Sequence, residues 1–504
     1  MVNATLLSRF TSLVSPPPPE IQFLIHLEEL RLGKQTMSIV CYLPAGWMLD
    51  HLSFINKSGY YFCHHLEQSA KDSFDNTVIP ASSGTSLIPI KSCTKKTISE
   101  FRNSGEKSNR IVKKTYLFQE EFFNVLKPHI PASFQTEKHS LETSISEQQK
   151  NDKDKKPITT IKAKKKRKRS SELNHGESDI LEYHLKISGI ILDGTRCLIQ
   201  EARRSGFLQP NSIDQFYVKA SDKGPNNCSL AELCEMAKCF VSMNEKEQKC
   251  VIDKETSDPE QVQLTCVTEN NTNNAKMLTL MGQNYLFPPR SAFLLSDFSC
   301  MQPLLNYNKK YDIIVIDPPW ENKSVKRSNR YGFLSHWQIK EIPVAALAAP
   351  NCLVVTWVTN RQKHLQFVKN ELYPHWSIHR IVEWFWVKIT KSGEFVIPLD
   401  SLHKKPYEIL VLGRVQGNTD VPLGLSEDEK FSAIPDQKLI VSVPCTLHSH
   451  KPPLSEILKE YTKPDVECLE LFARNLQPGW TSWGNEVLKF QHLDYFTVLH
   501  DNDD

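Results

Sequence analysis

The sequence predicts an α/β fold: a largely parallel sheet covered on both faces, preceded by a helical accessory module and disordered linkers. Three observations carry that prediction. Short apolar runs rich in β-branched residues recur through the C-terminal half, as in strands buried on both faces. Amphipathic stretches at helical spacing separate them. Ahead of them the chain contains long polar stretches and the basic run Lys162-Ala163-Lys164-Lys165-Lys166-Arg167-Lys168-Arg169, which repels itself and cannot fold alone.

With 504 residues there is room for two or three domains. The net charge is only +3, so affinity for a polyanion has to come from local patches. The 13 cysteines are scattered with no C-x-x-C pair, which argues against a disulfide framework and for a reducing compartment. Cys63-His64-His65 and the group Cys228, Cys234 and Cys239 lack a full ligand set at zinc spacing, so no metal is expected. No apolar run is long enough to span a bilayer, and no membrane partner is expected.

Residues 1–36 form an N-terminal extension with Arg9, several hydroxyls and no acid before Glu20. That pattern weakly resembles a mitochondrial transit peptide; a plain extension before a second start at Met37 is the preferred reading. Residues 37–131 are a region of mixed pattern and uncertain fold, in which Trp47–Ile55 is expected to be a helix and Lys113–Asn124 a further element. Lys71–Lys107, rich in serine, threonine and lysine, is expected to be mobile. Residues 132–172 read as a disordered basic linker. Its run Lys164–Arg169 suits a nuclear import receptor, with a nucleic-acid tether as the alternative.

Residues 173–275 read as a helical accessory module and a linker. Ile180, Leu181, His184, Leu185, Ile187, Ile190, Ile191, Leu198 and Ile199 recur near helical spacing, and Gly206 stands where a helix can end. Ser229 and Glu232 form a capping-box pattern opening a second helix. Residues 251–275, acidic and rich in asparagine, read as linker. From 276 to 500 the strand candidates are Ala292–Leu295, Asp312–Ile316, Cys352–Trp357, Ile381–Val387, Glu408–Leu412, Leu439–Val443 and Cys468–Phe472. Leu365, Val368 and Leu372 share one helical face, and Leu454, Ile457, Leu458 and Tyr461 another.

The run Tyr311–Ile316 ends abruptly in Asp317-Pro318-Pro319-Trp320. Ligands of open α/β sheets bind beyond the carboxyl ends of strands, which puts these four residues at the lip of a cleft. The prolines cannot extend a ladder and hold the turn stiff. The Asp317 carboxylate and the Pro318 carbonyl then form a pair of acceptors suited to a planar amino group, with Trp320 as a flat surface for a base. The exocyclic amine of adenine is a poor nucleophile, and such acceptors stabilise the positive charge that grows on it during alkylation. Its proton is lost after attack, so no strong base is needed.

Two stretches carry a resemblance: Asp317-Pro318-Pro319-Trp320-Glu321-Asn322-Lys323-Ser324-Val325-Lys326-Arg327-Ser328-Asn329-Arg330-Tyr331, and Leu469-Glu470-Leu471-Phe472-Ala473-Arg474-Asn475. The chain resembles the eukaryotic mRNA-adenosine methyltransferase family, whose Asp-Pro-Pro-Trp motif serves N6-adenine methylation from S-adenosylmethionine. The resemblance is strong from about Lys276 onward. It implies a Rossmann-like methyltransferase domain at 276–500 with permuted motif order, consistent with the lack of a G-x-G-x-x-G fingerprint.

The resemblance also assigns roles. Asp317, Pro318, Pro319 and Trp320 are catalytic. Phe472, Arg474 and Asn475 line the cofactor, Asn485 and Glu486 meet its ribose and amino-acid ends, Asp297 with Phe298 meets its adenine amine, and Lys451 reaches its carboxylate. The family's mRNA-methylating member has two extra residues between the equivalents of Arg474 and Asn475, and glutamine at Glu486. An acid after a strand, as at Asp297, is also an ordinary turn residue. Lys451, in Ser449-His450-Lys451-Pro452, is expected at a helix start, where an anion is favoured.

On the substrate side, Asn322, Lys326, Arg327, Arg330 and Tyr331 on one loop, and Lys404 and Lys405 on another, suit a phosphate backbone beside a stacked base. Trp384 and Trp386 alternate with Phe385 and are expected to be mostly core. The expected substrate is RNA, with the resemblance pointing to an internal 2′-O-methyladenosine of a spliceosomal small nuclear RNA. DNA adenine and a non-catalytic RNA-binding role are the alternatives, and the sequence requires no protein partner. The expected location is the nucleus, with cytosol and mitochondrion open.

Overall fold

A computed structural model describes residues 38–65, 111–129, 175–209, 249–252, 264–321, 333–401, 404–416 and 433–500, with 230, 232, 234 and 235. The N-terminal extension, Lys71–Lys107, the run Lys162–Arg169 and Ser229 lie outside the described residues.

In chain order the strands are β1 (Ile39–Leu43), β2 (Gly46–Leu49), β3 (Tyr61–His65), β4 (Ile111–Phe118), β5 (Lys249–Val251) and β6 (Val267–Asn270). There follow β7 (Lys276–Leu280), β8 (Gln283–Phe287), β9 (Ser291–Leu294), β10 (Tyr311–Ile316), β11 (Ala348–Val358) and β12 (Ile378–Lys388). The last are β13 (Tyr407–Val415), β14 (Leu439–Ser442), β15 (Cys468–Leu471), β16 (Trp480–Trp483) and β17 (Phe496–His500). Twelve of them form one sheet in the order β1-β2-β14-β12-β13-β11-β10-β15-β16-β9-β6-β5. Its centre is parallel, β11, β10, β15, β16 and β9 all running one way, while β13 runs against both its neighbours and β6 against β9.

β10 shows why the centre forms. Ile313 and Val315 enter one apolar cluster, and Ile314 and Ile316 enter the cluster on the opposite face. A strand with both faces apolar is stable only between layers. All the strand expectations from Ala292 to Phe472 correspond to strands here, shifted by a few residues at most. Phe472 itself falls just outside β15.

Three segments differ from the sequence reading. Trp47–Leu49 is strand rather than helix; only His51–Asn56 is helical, capped by Asp50. β2 is a two-faced strand, with Trp47 and Leu49 in one cluster and Met48 in the other, and it pairs in parallel with β14. Gly46 permits this approach: a Cβ there would lie 1.9 Å from the Leu439 carbonyl oxygen. Val267–Asn270, read as linker from its polar letters, is buried strand β6. Its polar groups are satisfied: the Asn270 amide donates to the carbonyls of Asn274 and Pro288, and Glu269 pairs with Lys249. Trp480–Trp483, not anticipated, is β16, between β15 and β9.

The helix expected from the spacing runs over His175–Arg204 and ends just before Gly206. His184, Ile187, Ile191, Thr195, Leu198 and Ala202 form its buried stripe. It lies across β1, β2, β14 and β12, so it covers one face of the sheet. Leu365, Val368 and Leu372 are buried, as are Leu454, Ile457, Leu458 and Tyr461. Among the described residues no helix is long and apolar enough to cross a membrane.

Candidate active site

Strand directions bring the carboxyl ends of β9, β10, β11, β12, β15 and β16 to one edge of the sheet, with the start of β13 among them. β10 is flanked by β11 on one side and β15 on the other. Chain connections diverge from such a strand, and a crevice opens beyond its end. Asp317 stands at that point.

Both Asp317 oxygens face cations. The Arg474 guanidinium donates to Oδ2 at 3.0 Å, and the Lys451 ammonium lies 3.6 Å from Oδ1. Each cation is shared. Lys451 also donates to Glu408 at 2.7 Å, and Glu408 meets Lys388 at 2.5 Å. Arg474 also donates to Glu486 at 3.1 Å, and Glu486 meets Lys489 at 2.8 Å. The result is an alternating row: Lys388, Glu408, Lys451, Asp317, Arg474, Glu486, Lys489. Burial opposes the charges on Lys451 and Arg474, but their acidic neighbours outweigh it and raise both pKa values. Glu408 behaves as the mirror case: burial is outweighed by Lys388 and Lys451, which hold it well below the usual carboxylate range.

Behind this row Glu470, on β15, is buried and accepts from the Gln477 amide at 3.1 Å. Burial, partly offset by that hydrogen bond, pushes its pKa up to about 7.

The turn is built differently from the sequence reading. The Pro318 carbonyl already accepts from the Trp320 amide at 2.8 Å, and the Pro319 carbonyl from the Leu334 amide at 3.1 Å. A carbonyl has a second lone pair, so Pro318 keeps one site for a substrate. Trp320 offers no open face: it is buried, its indole N–H donates to the Trp357 carbonyl at 2.8 Å, and His364 lies against it at 4.9 Å. The large indole and its single donor find a full set of partners on β11 and behind it, so Trp320 anchors the turn. Glu321 is pinned as well, its carbonyl accepting from Arg361 and bonded to His364.

Of the cofactor residues, Phe472 leaves β15 with a φ of 61°, rarely adopted by residues with a Cβ, and its ring meets Trp483 edge-on at 5.0 Å. Gly484 lets the neighbouring turn approach: a Cβ would lie 2.9 Å from the Ala473 carbonyl oxygen. Asp297 follows β9, half-buried with Phe298, and its Oδ1 accepts from the Ser299 amide and hydroxyl, an ordinary turn. Asn485 is exposed, and Asn475 is half-buried beside Leu476. Lys451 does not open a helix; the nearest one begins at Ser455 and is only four residues long.

On the substrate side, Asn322, Lys326, Arg327, Arg330 and Tyr331 lie outside the described residues. Lys404 is exposed. Lys405 is not presented to a ligand: it is buried and its ammonium donates to the Leu399 carbonyl at 3.4 Å. Trp384 and Trp386 are core, their indoles donating to Pro435 and Ser442. The sequence reading missed Lys388, Glu408, Glu470 and Lys489. Glu408 carried a signal, a lone acid opening an apolar strand. It also missed Trp337, 70% exposed on a helix over His336–Lys340 that begins two residues after the Leu334–Pro319 hydrogen bond.

A parallel-centred sheet whose switch point carries an Asp-Pro-Pro-Trp turn defines a Rossmann-like methyltransferase. Comparison with known proteins specifies it further. The MT-A70 family profile matches residues 311–486. The chain is 53% identical over 489 residues to the human N(6)-adenine-specific methyltransferase METTL4, covering 92% of this chain and 99% of that protein. It is 37% identical over 194 residues to the N6-methyladenosine RNA methyltransferase MTA1 of Cryphonectria parasitica, covering 37% and 54%. With the DNA N6-methyl methyltransferase of Caenorhabditis elegans it shares 31% over 218 residues, covering 43% and 56%. The chain belongs to the MT-A70 family and is an S-adenosylmethionine-dependent N6-adenine methyltransferase.

Proposed function

We propose that the protein methylates N6 of adenosine within RNA, its target an internal 2′-O-methyladenosine of a spliceosomal small nuclear RNA. The observation that carries the adenine chemistry is Asp317, fixed by a cation on each oxygen beside the remaining lone pair of Pro318. The choice of RNA rests on the family resemblance and on the RNA methyltransferases among the relatives. The relative named for DNA keeps DNA adenine as the second reading.

The donor set suits S-adenosylmethionine. Lys451, Arg474 and Glu486 would hold its zwitterionic amino-acid end, and Phe472, Asn475, Asn485, Asp297 and Phe298 would complete the proposed holders. When bound, the cofactor supplies an electrophilic sulfonium methyl. Asp317 and the Pro318 carbonyl accept hydrogen bonds from the substrate amine and orient its lone pair. As positive charge grows on that nitrogen, the Asp317 carboxylate stabilises it without reorganising, because Lys451 and Arg474 already fix its position. The proton leaves after attack.

Trp337, exposed on a helix tied to the turn through Leu334, gives a stacking surface for a nucleotide next to the target. Asn322, Lys326, Arg327, Arg330, Tyr331 and Lys404 are proposed to meet the phosphates. The run Lys164–Arg169 is proposed to recruit a nuclear import receptor, so replacing it with alanines shifts the protein out of the nucleus. The substrate is tested by methyl transfer from labelled cofactor to RNA with and without 2′-O-methyladenosine and to single-stranded DNA, followed by digestion to nucleosides. Label on N6 of RNA adenosine supports the proposal; label on DNA alone replaces it.

A further inference from the structure

A small cavity lies where the N-terminal segment meets the two chain segments that carry Lys451 and Arg474, lined on that side by His450, Pro453, Asn475 and Gln477. Among the residues that line it are His51 from the helix His51–Asn56, His450 and Gln477. All three are more than nine-tenths buried, being 3%, 4% and 6% exposed. His51 Nδ1, His450 Nδ1 and Gln477 Oε1 each have no hydrogen-bond partner in the protein. Buried polar atoms without partners are costly, and several around one cavity point to a shared partner.

The space open to the centre of a water molecule is about 10 Å³, about what one water requires. The chemistry matches too. Burial holds both imidazoles neutral, lowering His51 well below its ordinary value, with His450 adding to the effect, and lowering His450 to about 3. A neutral ring nitrogen either donates or accepts, and the Gln477 oxygen accepts. One water can serve all three. Gln491, also in the cavity wall, is already satisfied, donating to the Tyr60 hydroxyl and the Leu286 carbonyl. The rings are held in place: His51 meets His450 edge-on at 4.7 Å, and His450 stacks on Phe490 at 4.2 Å.

We infer that one ordered water bridges His51, His450 and Gln477, and that His51 is thereby a positioning residue for both arms of the Asp317 clamp. His450 directly precedes Lys451. Gln477 ends the turn that carries Arg474, and its other amide atom holds Glu470. The N-terminal segment, which lies outside the family match at 311–486, is therefore part of the catalytic apparatus. The affinity readout rests on the reading above that Lys451 and Arg474 hold the cofactor, which Lys451→Ala tests by itself; the double-mutant cycle and the crystal structure test the bridge.

The test is a double-mutant cycle on the full chain, measuring S-adenosylmethionine binding by calorimetry for wild type, His51→Phe, Gln477→Leu and the pair. No direct His51–Gln477 hydrogen bond exists to couple them. Each single substitution is expected to weaken binding about fivefold to tenfold, and the pair no more than the worse single, because either one already breaks the bridge. His51→Asn, which keeps a polar group, is expected to restore most of the affinity. Independent losses that multiply in the pair, or unaltered binding in His51→Phe, overturn the inference. Should His51→Phe fail to fold, a high-resolution crystal structure of the wild type decides: an ordered water within hydrogen-bond reach of the three atoms supports the bridge, and an empty cavity refutes it.

Discussion

The Lys451 ammonium sits between two carboxylates, 2.7 Å from Glu408 and 3.6 Å from Asp317. Lys451 is nearer to Glu408 than to the catalytic acid, so Glu408 sets where the cation rests. In Glu408→Gln the ammonium keeps a hydrogen-bond acceptor but loses a charge, and it is drawn toward Asp317. The expected result is a rise in the KM for S-adenosylmethionine of about tenfold, equivalent to ~1.4 kcal/mol, with less change in kcat. Steady-state kinetics at saturating nucleic acid check it; a pure kcat loss contradicts it.

Glu470 makes a pH prediction. Its folded pKa stands near 7 against an ordinary 4.5, burial being the main cause. The folded state therefore holds a proton that the unfolded chain has released between those values. Stability falls as pH rises through that window, by up to about 3 kcal/mol for a shift of this size. Glu470→Gln keeps an acceptor for Gln477 and removes the titration. Thermal denaturation of both proteins from pH 4.5 to 8 should show the variant's advantage growing with pH; parallel curves would show that Glu470 does not titrate there.

Trp320 is expected to act through structure. Trp320→Phe keeps an aromatic ring but leaves the Trp357 carbonyl without its donor, at a cost of about 1–3 kcal/mol. A lower melting temperature together with reduced kcat is expected, because the indole anchors the turn that carries Asp317. If base stacking were its role, the phenyl ring would serve the same purpose and stability would hold.

How much of this was legible follows from locality. β10 and its turn could be read because both causes are local: an apolar run needs two covered faces, and two prolines end a strand. The buried stripe of His175–Arg204 was legible for the same reason. β2 was not, since Trp47, Met48 and Leu49 fit helix or strand equally well until β14, almost four hundred residues later, supplies the partner. β6 was hidden by composition, because Thr268, Glu269 and Asn270 are buried through hydrogen bonds that no local pattern announces. At the site, Asp317 was read from the strand end and its prolines, while Lys451, Arg474 and Glu486 came from resemblance to a family. That Lys388, Glu408 and Lys489 join them in one row depends on which strand ends meet, which only the sheet order reveals.

The central claim is that Asp317, held in place by Lys451 and Arg474, is the acceptor that makes the adenine amine a nucleophile. The most direct measurement is methyl transfer by purified Asp317→Ala and Asp317→Asn with labelled S-adenosylmethionine, alongside nucleic-acid binding and melting temperature. The account predicts a loss of at least a hundredfold in kcat for both, roughly 2.7 kcal/mol or more in the barrier, with the fold and most nucleic-acid affinity retained. Full activity in either folded variant would contradict it.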